Sequence, residues 1–267
     1  MIRKYSIPLF IIFTYALSFV GGQLFYNPNI SDYFPQPLLL ILRILFLPAI
    51  VAPFSVAILL SYVENKKYGV RNLLKKFCHK RIPIQWYILA IIIPFVVHFF
   101  ASILDSWRGT NFLPPFGNVS ERTIVSMIII FILAGVGEEM GWRGYLLPRL
   151  QKKYSSVISS IIVGLVTGFW HLPLFLIRGA FHSNHAFIPF LLLSIAFSFI
   201  YTWLMDNTHA VLILALFHTF HDIASMNFSQ RDHLSSFLVY AVIAVIIVIV
   251  YGMKRFKKSS KIKKAEQ

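Results

Sequence analysis

A chain of 267 residues, 57% hydrophobic and only 13% charged, carries about half the charge of a soluble globular domain. Its mean hydropathy of +0.71 and its long apolar blocks exclude an ordinary soluble enzyme. The 25 Lys and Arg against 10 Asp and Glu leave a formal charge of +15, but no nucleic-acid partner is expected, because the basic stretches lack interleaved aromatics for bases to stack on. A single cysteine, Cys78, excludes an intramolecular disulfide and a thiolate metal cluster.

The apolar blocks fall at 5–25, 37–63, 84–104, 123–150, 157–177, 186–205, 210–226 and 236–253. Most are about 20 residues, the length needed to cross a ~30 Å hydrocarbon core. The expected fold is all-α: a polytopic membrane protein of about eight transmembrane helices. Arg3 and Lys4 precede the first block without a small-residue cleavage pattern, so it is read as an uncleaved helix. No internal repeat or low-complexity linker is visible; residues 1–253 form one membrane domain and 254–267 a basic tail. The Phe112–Asn118 stretch, with its Pro-Pro pair, reads as a turn outside the membrane.

Orientation follows from the cations. Twenty of the 25 lie before the first block, between blocks two and three, from the end of block four (Arg143, Arg149) into the connection after it, or in the tail; the alternate side holds Arg108, Arg122, Arg178 and Arg231, and Arg43 sits within block two. This segregation predicts a multi-pass cell-membrane protein with both termini cytoplasmic and an attraction to anionic lipid.

Of the ten acids, only Glu138, Glu139 and Asp222 fall well inside blocks, where an ionisable group is costly and functional by default. In block four, Glu139 and Arg143 are four apart and can pair on one helix face, while Glu138, rotated by about 100°, stays available for chemistry. Gly137, Gly141 and Gly144 let a neighbouring helix or a substrate backbone approach. A packing ion pair is the competing reading. In block five, His171 precedes Pro173, which cannot pack against the Phe169 carbonyl and so loosens the helix there; a satisfied bundle histidine is the alternative. In block seven, His218 and Asp222 share a face with His221 beside it, suiting either metal ligation or the orientation of a reacting group, against a polar helix clamp. His98, in block three, has no acidic or imidazole neighbour at helical spacing and is assigned to packing.

Glu138-Glu139-x-x-x-Arg143, His171 in a Trp-His-Leu-Pro context, and His218-x-x-x-Asp222 together resemble the three-motif signature of the CAAX protease and bacteriocin-processing (Abi) family of intramembrane proteases, which includes the CAAX prenyl endopeptidases. The motifs agree in order and spacing and span about Ala134 to Asp222. Two positions depart from the family pattern: Thr167 stands where an aromatic commonly precedes the second-motif histidine, and Asp222 where Asn is usual.

The resemblance implies an intramembrane cavity open to the cytoplasm and an endopeptidase acting on a membrane-associated or prenylated protein, or on a bacteriocin or pheromone precursor. It implies that Glu138, assisted by His171, activates water, that Glu139 with Arg143 holds the first motif together, and that His218 with the third-motif residue stabilises the oxyanion. The family is often labelled metalloprotease; Glu138, His171, His218 and Asp222 are then the candidate Zn²⁺ ligands, although no HExxH motif is present. Other classes weighed are a proteolytically idle scaffold or bacteriocin-immunity protein and a proton-coupled transporter, for which paired inverted repeats would be expected.

Overall fold

The computed structural model describes every residue except 1, 27–28, 79–80, 111–124, 126–127, 178–182, 184, 229–231 and 266–267, and for 2–3, 26 and 251–265 the backbone alone. The Pro-Pro turn at 112–118 and the sparse-side cations Arg122, Arg178 and Arg231 thus lie outside the described residues. Among the described residues the protein is all-helical, with no strand. Helix α1 is Ser6–Tyr26, α2 Gln36–Leu45, α3 Ala52–Leu74 and α4 Ile84–Trp107. The run α5 covers residues 131–150, α6 is Ser156–Trp170 and α7 Leu172–Leu176. Helices α8, α9 and α10 are Phe187–Thr208, Val211–Asn227 and His233–Ala265.

Among the described residues six stretches are long and apolar enough to cross a membrane: Ser6–Phe25, Leu47–Leu74, Ile84–Trp107, Ser156–Leu176, Phe187–Thr208 and His233–Val250. The fourth block contains α5 and the seventh the 17-residue α9, so each block contains helix among the described residues. The second block is corrected in its interior. Instead of one helix over 37–63, α2 ends at Leu45, a 3₁₀ turn follows at Leu47–Val51, and α3 begins at Ala52. Pro48 and Pro53 lack the amide hydrogens that a continuous helix needs, and each sits in a first turn where that loss is harmless. Helix α3 then continues past Val63 through a break at Asn65 and Lys66, carrying Lys67 and Arg71 on helix rather than in a loop.

Helix α8 packs on α6 and α10, α4 on α9 and α10, and α5 between α3 and α9. Small residues permit the two contacts that place α5. A Cβ on Gly141 would lie 2.4 Å from the Pro53 Cβ, and one on Gly135 would lie 2.7 Å from the Ala215 carbonyl oxygen. The sequence-predicted close approach thus holds at Gly141 and at Gly137, which meets Val51, whereas at Gly144 a Cβ would make only ordinary contacts. The core is filled by Trp142, Tyr145, Tyr201, Phe217 and Tyr240, all essentially buried.

Helices α8 and α9 are joined through His209, in the left-handed conformation (φ 52°), and Ala210. The first amides of α9, on Val211 and Leu212, donate to the carbonyls of Lys76 and Phe77, both at 2.8 Å. Chain from just after α3 therefore supplies the acceptors that a helix N-terminus lacks internally.

Candidate active site

Helix α5 is not a uniform α-helix. Widened π-helical turns at Phe131–Val136 and Trp142–Leu146 flank one α-helical turn, Gly137–Gly141, that carries Glu138 and Glu139. Such insertions in helices concentrate at functional sites. Glu139 is fully buried, and Arg143 Nη1 donates to its Oε1 at 3.0 Å and its Oε2 at 2.9 Å. This is the predicted i,i+4 pair. The guanidinium also lies over the Tyr201 ring, 4.0 Å from its centroid, a cation–π contact from α8 that sequence spacing could not supply.

The third motif joins the first through Glu139. His218 Nδ1 is 3.0 Å from Glu139 Oε1, and its Nε2 is 3.8 Å from Asp222 Oδ2. A carboxylate only accepts, so Nδ1 carries a hydrogen and donates to Glu139. Glu139 is therefore more than a partner for Arg143: it holds the α5 cation and the α9 imidazole at once.

Glu138 is 8% exposed and its nearest polar partner is the Trp142 indole, with Nε1 at 3.4 Å from Oε2. His171 stands at the junction of α6 and α7, where Pro173 opens the second segment. Its Nδ1 is 2.9 Å from the Thr167 carbonyl, which fixes the hydrogen on Nδ1 and makes Nε2 the accepting nitrogen of the neutral ring. Thr167, in the position where the family carries an aromatic, spends its hydroxyl on the Val163 carbonyl at 2.7 Å. Aromatic packing on His171 comes instead from Trp170 and from Phe190 of α8, with ring centroids at 4.6 and 5.1 Å.

All six sequence-predicted residues line one polar cavity of about 250 Å³. A second, apolar cavity of about 680 Å³ shares Ala134, Glu138 and His171 with it and runs between α1 and the α6–α7 bend. Tyr15 and Ser18 of α1 fix that wall: the Tyr15 hydroxyl donates to the Val166 carbonyl at 2.5 Å, and the Trp170 indole donates to Ser18 Oγ at 2.7 Å.

The structure gives His98 a partner that helical spacing did not. It is buried on α4, lines the polar cavity, and its Nε2 is 3.0 Å from His221 Nδ1, which is itself 3.0 Å from the Tyr240 hydroxyl. The missing imidazole neighbour comes from α9, 123 positions away; the signal in the sequence was a histidine deep in an apolar block, not its local spacing. Among the described residues no group of three His, Cys, Asp or Glu side chains gathers closely enough to hold a metal ion. No three of the candidates Glu138, His171, His218 and Asp222 form such a group, and His218 Nδ1 is committed to Glu139, so the donor set as arranged does not fit Zn²⁺.

Residues 120–224, which include all six site residues, match the profile of the family described as Type II CAAX prenyl endopeptidase Rce1-like. The chain is also similar to CAAX prenyl protease 2 of Methanococcus maripaludis, 27% identical over 229 residues that cover 81% of this chain and 80% of the relative. The match over α5, α6 and α9 coincides with the helices that build the carboxylate–imidazole site. Over the helices that carry its site the chain is similar to the Rce1-like CAAX prenyl endopeptidases, and it is a multi-pass intramembrane endopeptidase.

Proposed function

We propose that the protein cleaves a lipid-modified, CAAX-type protein or peptide, with Glu138 and His171 activating the attacking water. The observation that carries this reading is the shared wall of the two cavities. Glu138 and His171 border both the polar cavity and an apolar one whose volume, about 680 Å³, falls in the range of pockets that enclose small-molecule ligands. A peptide segment suits the polar arm and a prenyl chain the apolar arm, and a peptide bond next to the lipidated residue would then lie beside the two bases.

In this reading Glu138 takes a proton from water as hydroxide attacks the scissile carbonyl carbon, and His171 Nε2 holds the water as an acceptor. A doubly protonated His218 donates from Nδ1 to Glu139 and from Nε2 to the developing oxyanion. Collapse breaks the C–N bond, and the proton on Glu138 passes to the leaving amine. No step is routed through a metal.

Asp222 is where an oxyanion role and a metal role predict opposite results. As an oxyanion partner its carboxyl must be protonated to donate, whereas an amide donates at every pH. Asp222→Asn is therefore expected to preserve or raise the rate of peptide release in detergent, most clearly at higher pH. A variant at least ~10-fold slower, together with a wild type inactivated by chelator, would assign Asp222 to a metal shell.

The cation segregation supports a cell-membrane location with both termini cytoplasmic. Reporter fusions at Lys76 and Lys258 are expected to read cytoplasmic and a fusion at Asn118 external; an external reading at Lys258 would overturn that topology.

A further inference from the structure

A third cavity, of about 460 Å³, lies at the Lys-rich end of the helices, away from the catalytic residues, between the start of α1, the broken part of α3 and the end of α5. Lys76, Arg149, Lys152 and Lys153 line it, against one carboxylate, Glu64. That carboxylate is already occupied: Arg149 Nη2 donates to Glu64 Oε2 at 2.5 Å and the Tyr145 hydroxyl to Oε1 at 2.7 Å. The positive charge left over is carried by three lysines. Lys76 is partly buried and donates to the Gly144 carbonyl at 2.7 Å, while Lys152 and Lys153 have no acidic partner among the described residues. Burial, reinforced by the nearby charges of Arg149 and Lys152, pushes the Lys76 ammonium down to about 8. An anion in the cavity would relieve that repulsion.

The walls are built rather than incidental. Helix α3 breaks at Asn65 and Lys66, the latter with φ 49°, a conformation costly for a side chain with a Cβ. The chain then folds back so tightly that a Cβ on Gly69 would lie 2.0 Å from the Ser61 carbonyl oxygen. This fold-back brings Asn65 and Asn72 to the cavity.

The chemistry distinguishes between anions. A planar carboxylate is best held by a guanidinium fork, and the fork of Arg149 is taken by Glu64 and the Tyr145 carbonyl. Three lysine point charges with two carboxamides suit the several oxygens of a tetrahedral phosphate, and lysine clusters beside membrane helices are established binders of anionic headgroups. We propose that this cavity is a phosphate-binding site, filled by the headgroup of an anionic phospholipid or by free phosphate.

The test titrates the full-length protein in neutral detergent with phosphatidylglycerol, with phosphatidylcholine, or with inorganic phosphate, and follows the unfolding temperature, a readout independent of cleavage. Phosphatidylglycerol is expected to raise that temperature saturably, and phosphatidylcholine to leave it unchanged. Half-saturation should weaken at least tenfold in Lys152→Gln/Lys153→Gln, whose side chains are exposed. The control Lys257→Gln/Lys258→Gln removes the same charge from the C-terminal segment and should stay within twofold of wild type. A matching response to inorganic phosphate assigns the free anion, and a lipid-only response the headgroup; either supports the site. Equal weakening in both double variants, or no saturable shift with phosphatidylglycerol or phosphate, would overturn it.

Discussion

Glu138→Gln is expected to lower cleavage by at least ~100-fold, the lower range for loss of a general base, in a protein that folds as well as the wild type. The substitution is nearly isosteric. Its carboxylate makes one long contact, to Trp142 at 3.4 Å, and an amide oxygen can accept from that indole equally well. Removing a buried charge that forms no direct ion pair among the described residues should leave stability level or improve it. The measurement is peptide release alongside thermal unfolding in the same detergent. Full activity in Glu138→Gln would remove Glu138 as the base, and an unfolded variant would make it a structural residue.

Glu139→Ala should behave in the opposite way. It strands Arg143, whose side chain is 3% exposed, without its carboxylate, and breaking one partner from a buried pair costs about 3–5 kcal/mol. It also removes the acceptor that fixes His218 Nδ1, so whatever protein remains folded should be inactive. Replacing both charges, as in Glu139→Leu/Arg143→Met, should recover much of the stability, since apolar substitutes for a buried pair are often neutral or better, and none of the activity. A Glu139→Ala protein that melts with the wild type would show that the pair does not hold the motif together.

Most of the architecture was legible because lipid imposes one requirement on every span, an apolar run of about 20 residues with its backbone bonds satisfied internally. What the apolar pattern could not show was where helices break. Leu47–Val51 is as apolar as its neighbours, and only Pro48 and Pro53 mark the interruption; the widened turns around Gly137–Gly141 leave no compositional trace. The site divides in the same way. The Glu139–Arg143 pair is local, set by four-residue spacing, and was readable. The Glu139–His218 bond, the Tyr201 ring beneath Arg143 and the His98–His221–Tyr240 cluster arise between helices distant in sequence. Intramembrane polarity could nominate such residues singly, but only packing pairs them.

The bond between Glu139 and His218, 79 positions apart, bears on how such an enzyme is made. A ribosome that has inserted the chain only through α8 has produced both carboxylates, Arg143 and His171, yet no His218. The next helix to emerge starts on carbonyls of Lys76 and Phe77 delivered much earlier, so its docking closes a long loop late. On the proposed assignment, a nascent chain in the membrane lacks its oxyanion donor until α9 seats, and proteolytic competence would arrive only with that helix.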